Sequence, residues 1–422
     1  MLTAARLLQY AVLCLGLLSL GCTSLPISNV ENPDQPHLVL VSFDGFRSDY
    51  AERWQLPAFL AMAEDGSRSR GLIPSYPSKT FPNHYSIVTG LYPGNHGLID
   101  NNFLDPVRQL PYRMNNRSAV EDPQFYGGKP LWQHVQDHGK RSAAYFWVGS
   151  EAPIGGRYPD YYRLYDGGVA NDARIDQVIE WMRLPQAQRP VFVSLYFSLV
   201  DSAAHTYGPL ANTTRQAAVE ADRLLGKLAS ALQALPIRSN IVVVSDHGMV
   251  PVVDTASSYI HIPQLSELEK DATVVYNQTQ VLIYLRDPAT GPVLKAQLQQ
   301  VQGPFTVYDK ASLPPHWHYT RHTNVPALLL AADAGHVFSA SPVSGRSFTQ
   351  QVEGVHGYDP LELPELHGIL FASGPDIRAG LVLEAVENVH VLPFLCALLG
   401  LPVPVDIDGK LAVLSPLLRK VP

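Results

Sequence analysis

His37-Leu38-Val39-Leu40-Val41-Ser42-Phe43-Asp44-Gly45 opens the folded part of this chain. The run is apolar, partly β-branched and of strand length, and it stops on an acid followed by a glycine. The same arrangement returns twice. Residues 191–197 form an apolar run leading to Asp201-Ser-Ala-Ala-His205, and Ile241-Val-Val-Val-Ser245 leads to Asp246-His247-Gly248. In open α/β sheets, ligands bind beyond the carboxyl ends of the strands, so these acids and histidines have a reason to converge. Between the first two runs stands Lys79-Thr80-Phe81-Pro82-Asn83-His84, which sets a hydroxyl, Thr80, among potential metal ligands. The combination implies metal-assisted hydrolysis.

Around these anchors the periodicity predicts a short amphipathic helix over 57–62, with proline in its first turn. A helix over 131–138 precedes a strand within 140–147. Helices over 173–182 and 213–235 feed the second and third apolar runs. This alternation predicts an α/β fold with a largely parallel central sheet flanked by helices on both faces. Residues 251–350 read differently, with strands over 279–285, 305–308 and 327–332 and a helix over 293–301. They are expected to form a small inserted α/β lobe. The chain then returns through His356-Gly357-Tyr358-Asp359, a strand over 368–372 and a helix containing 391–399. The main body is thus expected in two parts, 37–250 and 351–422.

Of the 422 residues, 46% are hydrophobic and 16% charged, which suits a globular chain with a sizeable core. The net charge of −7 excludes a broad electrostatic grip on a nucleic-acid duplex. Any anionic substrate must be met locally, by metal or helix ends. At the start, Arg6 precedes an apolar run over 11–20 that is too short to span a bilayer and ends at Gly21-Cys22. This is an export signal over residues 1–21, followed by a linker over 22–36. Two outcomes stay open: a lipid anchor on Cys22, against which Ser19 departs from the usual lipoprotein pattern, or ordinary cleavage near Gly21. Cys14 leaves with the signal, so only Cys22 and Cys396 remain and no disulfide framework is possible. A bacterial periplasm fits that usage better than an animal extracellular setting.

Asp201 and His205 stand four apart, so a helical backbone would project both from one face. Asp246 and His247 are adjacent and need a bend, which a strand end followed by Gly248 supplies. Oxygen and nitrogen ligands without thiolate suit zinc at an incompletely closed catalytic site. Taken singly, each pair is equally a surface pair. Pro82 is tolerated in a first helical turn, so Thr80 is expected near a helix N-terminus, where an anion is favoured. Metal coordination would lower its hydroxyl pKa. An ordinary N-cap threonine is the alternative.

Several strings together resemble the nucleotide pyrophosphatase/phosphodiesterase family of the alkaline phosphatase superfamily. They are Val41-Ser-Phe-Asp-Gly-Phe, Pro74-Ser-Tyr-Pro-Ser-Lys-Thr-Phe-Pro-Asn-His-Tyr, Thr89-Gly-Leu-Tyr-Pro, Val244-Ser-Asp-His-Gly-Met and His356-Gly-Tyr-Asp. Asp201, His205 and Gly208-Pro209 fall in order among them. The resemblance implies an alkaline phosphatase-like fold and two zinc ions. One zinc would be held by Asp201, His205 and His356, the other by Asp44, Asp246 and His247, with Thr80 as nucleophile on the second. Asn101 matches a donor to a phosphoryl oxygen. Phe81 and Tyr196 match aromatic positions that sandwich a nucleobase, and Tyr165 is a looser match; core packing is the alternative for these rings.

Small-molecule nucleotides are the implied substrates, cleaved to nucleoside 5′-monophosphates through a phosphothreonine ester. Ser198-Leu199-Val200 and His390 depart from acidic residues common in the family, at positions that are not ligands. His316, His318 and His322 match no ligand position either and are expected to be structural or at a rim. Related monoesterases carry a Lys-x-Arg pair in the stretch matching Trp147-Val-Gly-Ser-Glu151; here it is missing, and Arg157 is the one nearby cation that would replace it. The rival readings are a phosphodiesterase for choline-type lipid head groups and a non-catalytic binder of zinc or nucleotide.

Overall fold

The computed structural model describes residues 34–420, apart from the Glu269 side chain. The export signal and Cys22 lie outside the described residues. The central sheet uses eight strands, numbered in chain order: β1 (His37–Phe43), β2 (Ser67–Ser69), β3 (Ser142–Tyr145), β4 (Tyr161–Arg163), β5 (Phe192–Phe197), β6 (Ser239–Val244), β7 (Leu370–Ser373) and β8 (Leu381–Leu383). Their order across the sheet is β8-β2-β7-β6-β1-β5-β3-β4. β1 pairs in parallel with β5 and β6, and β3 pairs in parallel with β4 and β5. Only β7 runs the other way, antiparallel to both β6 and β2.

Seven consecutive buried residues make β1 an interior strand, and its alternation divides the core. Leu38 and Leu40 face a layer containing Tyr85, Ile87, Trp132 and Leu395. These come from helices α2 (Thr80–Thr89), α3 (Leu131–Asp137) and α7 (Val391–Leu398). Val39, Val41 and Phe43 face the opposite layer, with Phe59, Ile175, Val178, Leu224 and Leu228. That layer is built by α1 (Pro57–Asp65), α4 (Asn171–Met182) and α6 (Asn212–Gln233); α5 (Leu199–Tyr207) follows β5 directly. The helices therefore cover both faces, as the alternation of segments predicts.

Val250–Val253 and Val352–Val355 pair antiparallel. The chain between them carries a separate four-stranded antiparallel sheet made of Ala272–Tyr276, Gln280–Leu285, Leu328–Ala332 and Phe305–Asp309, in that order. Among the described residues no helix is long and apolar enough to cross a membrane. Cys396 is buried and unpaired.

The register brings the chemistry to one end. Phe43 lies opposite Phe197 and Ser42 opposite Val244, so the carboxyl ends of β1, β5 and β6 are level. Asp44, the β5–α5 turn and Asp246 leave the sheet side by side.

Candidate active site

Each side chain of the site is aimed by a local device. Gly45 has φ +66°, and a Cβ there would meet the Asp201 Cα at 2.8 Å, so only glycine lets β1 turn this close to α5. Gly248 is equally confined: its Cβ would meet the Glu365 carbonyl oxygen at 2.1 Å. Asp201 and His205 share one face of α5, with His205 Nε2 3.3 Å from Asp201 Oδ1. Thr80 is the first residue of α2, after an extended Lys79 whose side chain caps nothing. Asn83 ties down that entry, donating to the carbonyls of Pro77 and Lys79 and accepting from the Ser75 amide. The roughly half positive charge at a helix N-terminus therefore lies beside the Thr80 hydroxyl.

His205, His247 and His356 are prepared in the same way. Their Nδ1–H groups donate to the backbone carbonyls of Gly354 (2.7 Å), Gly248 (2.9 Å) and Ser78 (2.7 Å). Donation from Nδ1 fixes the tautomer that leaves a lone pair on Nε2. His356 Nε2 then lies 3.1 Å from His205 Nε2 and 4.0 Å from Asp201 Oδ1. His247 Nε2 lies 3.0 Å from Asp246 Oδ2, 3.6 Å from Asp44 Oδ1 and 3.2 Å from Thr80 Oγ1.

Acceptors thus face acceptors. Asp44 Oδ1, Asp201 Oδ1 and Asp246 Oδ2 are buried with no hydrogen-bond partner among the described residues. Burial, then the charges of Asp246 and Asp201, push the Asp44 carboxyl well above the usual carboxylate range. Burial foremost, with His247, Lys79 and His205, holds the His356 imidazole well below its ordinary value, so it stays neutral. Buried carboxylates are costly unless paired, and an imidazole that donates from Nδ1 can offer its Nε2 to a metal; a pair of divalent cations fits this donor set. The ligand atoms divide in two ways. By proximity alone, Asp201, His247 and His356 form one group and Asp44, His84 and Asp246 the other. The second group is the weaker division, because His84 is already engaged: Nε2 lies 2.8 Å from Ser42 Oγ and Nδ1 2.9 Å from the Thr80 carbonyl oxygen.

Two residues act here in ways the sequence did not assign. His84 Nδ1 is also 3.3 Å from Asp246 Oδ2, so one imidazole links the nucleophile's backbone to a carboxylate across the site. Tyr196, matched to a base-stacking position, donates its hydroxyl to Asp44 Oδ2 at 2.6 Å. Burial, then Asp44 and Asp201, pushes that hydroxyl up, so it remains a donor. A hydrogen bond to a charged group of this kind contributes ~1.5–3 kcal/mol. Tyr165 is not a core residue: it is 45% exposed, with its ring 6.3 Å from that of Tyr196. Phe81 is half-buried beside Thr80, its ring edge-on to Tyr112. Asn101 Oδ1 accepts from the Phe81 amide at 2.9 Å, which turns its Nδ2 donors away from α2.

The remaining candidates lie elsewhere. Arg157 pairs with Asp137 at 2.5 Å and lines a cavity with His37, at the amino end of β1. That strand places it roughly 20 Å from the site at the usual rise per residue. It is therefore no clamp for a second phosphoryl charge. The Lys79 ammonium, pulled down to about 8 by burial against the attraction of Asp100 and Asp201, donates to the His356 carbonyl at 2.7 Å. His316 bonds Asp359 at 2.7 Å, His318 stacks on Tyr92, and His322 accepts from the Asn324 amide. They point three ways and gather no ligand set. His390 accepts from the Lys410 amide.

A mostly parallel sheet with acids and imidazoles at its carboxyl edge, and a hydroxyl at a helix start among them, is an alkaline phosphatase-like α/β fold with a candidate metal-binding edge. Residues 38–359 match the type I phosphodiesterase / nucleotide pyrophosphatase family, and the chain belongs to it. It is 32% identical over 398 residues to ectonucleotide pyrophosphatase/phosphodiesterase family member 1 of Mus musculus, covering 92% of this chain and 43% of that protein. With venom phosphodiesterase CdcPDE of Crotalus durissus collilineatus it shares 31% identity over 409 residues, covering 95% of this chain and 48% of the relative. The chain thus spans less than half the length of these curated relatives. A solved murine ectonucleotide pyrophosphatase/phosphodiesterase 5, an inactive threonine-to-alanine variant in complex with AMP, superposes with a TM-score of 0.82 at 28% identity. That match covers 91% of this chain and all of the other.

Proposed function

We infer that the chain is a zinc-dependent phosphodiesterase/pyrophosphatase that cleaves nucleotide phosphodiester or phosphoanhydride bonds and releases nucleoside 5′-monophosphates. The observation that carries this is the position of Thr80 Oγ1, at the first residue of α2 and 3.2 Å from His247 Nε2. The murine relative's AMP complex and its threonine-to-alanine inactivation support it. Asp201, His205 and His356 would hold one zinc; Asp44, Asp246, His247 and Thr80 would hold the other. When bound, the two ions supply the charge that acidifies the Thr80 hydroxyl and neutralises phosphoryl oxygens.

Thr80 Oγ1 attacks phosphorus, forming a threonine ester as the bond to the leaving oxygen breaks. Water then cleaves that ester, and the threonine hydroxyl is regenerated. Tyr196 holds Asp44 and the Gly45 amide holds Asp246 Oδ1 throughout, so neither carboxylate swings as charge moves. The Asn101 Nδ2 donors would meet a phosphoryl oxygen; Asn101→Ala is expected to lower kcat by roughly 10²-fold, the usual loss of one oxyanion donor. Single-turnover rates at saturating substrate check this.

A diester is favoured over a monoester by charge. Two dications are offset by Asp44, Asp201, Asp246 and a Thr80 alkoxide, so a monoanionic diester leaves little imbalance. A dianionic monoester would want a further cation. A panel of a nitrophenyl ester of thymidine monophosphate, nitrophenyl phosphate, ATP and glycerophosphocholine tests the reading. The nucleotide diester should far exceed nitrophenyl phosphate in kcat/KM; comparable efficiency on both would end the diesterase assignment. Preference for glycerophosphocholine would point to a head-group enzyme, with an open ring such as Tyr165 facing the quaternary ammonium. Tight nucleotide binding with no product would point to a binder.

Phe81 and Tyr165 present the rings available to a base. Phe81→Ala should weaken kcat/KM for nucleotide diesters by about ten- to a hundredfold, the worth of ~1–3 kcal/mol of stacking. A bis-nitrophenyl diester should be affected much less. Equal losses on both substrates would mean that Phe81 positions Thr80 instead. Export to a bacterial periplasm, with or without a lipid anchor on Cys22, completes the proposal.

A further inference from the structure

Asn101 stands at the base of a hairpin, Asn102–Asp105 paired with Leu110–Arg113, which the Met114 amide closes by donating to the Asn101 carbonyl at 3.0 Å. Phe103 and Tyr112 are buried and anchor one face of that hairpin in the core. Side chains alternate along a strand, so Asn102 lies on the other face. Its anchor there comes from 175 positions away in the chain. Asn277 Oδ1 accepts from Asn102 Nδ2 at 3.0 Å, and Asn277 Nδ2 donates to the Asn102 carbonyl at 2.7 Å. Asn277 is only 5% exposed, and both ends of its amide are engaged on the residue that follows Asn101.

Asn277 belongs to the tight turn between strands Ala272–Tyr276 and Gln280–Leu285 of the four-stranded sheet. The turn is stiff. The Asn277 amide donates to the Gln280 carbonyl at 2.9 Å, the Thr279 amide donates to the Asn277 carbonyl at 2.7 Å, and Gln278 is held at φ +60°. A side-chain-bearing residue persists in that left-handed region only where its surroundings fix it, and such positions gather at functional sites. The far side of the turn is fastened to the segment that carries His356. Gln280 Nε2 donates to the Gly357 carbonyl, and the Thr279 hydroxyl donates to Gln280 Oε1 at 2.8 Å. A Cβ on Gly357 would collide with that hydroxyl and with Lys79, so the packing there has no slack. The turn is thus a rigid spacer, with the His356 backbone on one side and the base of the Asn101 hairpin on the other.

We propose that Asn277 is a positioning residue for the phosphoryl-transfer reaction: through Asn102 it fixes the Asn101 amide relative to His356, so the four-stranded sheet sets the aim of that donor. This rests on the reading of Asn101 as the donor to a phosphoryl oxygen. Such a donor acts only within about 2.7–3.1 Å of the developing charge, and a displacement of ~1 Å caused from a distance costs on the order of 10²-fold. The Phe81 amide, on Asn101 Oδ1, fixes one end of the Asn101 side chain. The backbone that carries it takes its bearing from Asn277.

A double-mutant cycle on the zinc-loaded protein tests this, using Asn101→Ala, Asn277→Ala and the pair with a nitrophenyl nucleotide diester. Asn277→Ala should lower kcat by about tenfold with KM and zinc content little changed, because an aimed donor counts in the transition state. In Asn101→Ala protein the same substitution should cost less than about twofold, since the group it aims is gone. Asn102→Ala removes the side-chain bond and keeps the carbonyl one. It should fall between the parent and Asn277→Ala, and its effect too should vanish in Asn101→Ala protein. That variant carries the test if Asn277→Ala loses zinc or fails to fold. Equal losses with and without Asn101 would make Asn277 a merely structural residue, and parental kcat in Asn277→Ala would show that the hairpin holds itself; either result overturns the proposal. Parental kcat in Asn101→Ala would remove the donor, and this role of Asn277 with it, which tells failure of the donor apart from failure of its support.

Discussion

Thr80→Ala is expected to abolish nearly all turnover of a nitrophenyl nucleotide diester, on the order of 10⁴-fold or more in kcat, as when a catalytic nucleophile is removed. The fold should not notice. Position 80 is the first residue of α2, its backbone carbonyl rather than its side chain meets His84, and alanine is a better helix former than threonine. Metal content should therefore be unchanged, which separates loss of the nucleophile from loss of the site. Acid quenching of the parent enzyme during turnover should trap phosphate on a peptide containing Thr80. Near-parental turnover by the variant would mean that another oxygen attacks.

Metal removal is expected to have an equally large effect. Protein prepared without chelator should contain about two zinc ions per chain, one for each ligand set. Dialysis against a chelator should reduce turnover to background and lower the Tm. The cause of the second effect lies in the carboxylates. Asp44, Asp201 and Asp246 are held together with a buried unpartnered oxygen each, and a bound dication relieves their repulsion in the folded state alone. Zinc should restore both properties. One equivalent of metal, or full activity after chelation, would contradict the proposed pair of sites.

What the sequence disclosed were the features carried by short-range periodicity. Three apolar runs ending in acids placed β1, β5, β6 and Asp44, Asp201 and Asp246 at one edge. The four-residue spacing of Asp201 and His205 gave their shared helical face, and Pro82 gave the helix start at Thr80. What stayed hidden depended on pairings over long separations. Tyr196 meets Asp44 across 152 positions and could be read from the sequence only as an aromatic ring. His84 sat inside the quoted string, yet its contacts to Ser42 and Asp246 come from separate strands. Arg157 looked near because it follows a loop close to the site in sequence; its bond to Asp137 turns it to the far end. Tyr165, with no alternation around it, gave no sign of being half exposed. The reversal of β7 was equally unreadable, since a four-residue apolar strand carries no direction.

That reversed strand has a consequence for how the protein is made. β7, at residues 370–373, is an inner strand flanked by β2 and β6, and His356 arrives only shortly before it. A nascent chain that has passed His247 already holds β1, β5 and β6, but β6 still offers an open edge and one of the three imidazoles, His356, is missing. Domains tend to assemble as they emerge, and an uncovered edge invites pairing with another chain. The fold therefore closes late, from its C-terminal portion, and a fragment ending before about residue 355 should be both inactive and prone to aggregate.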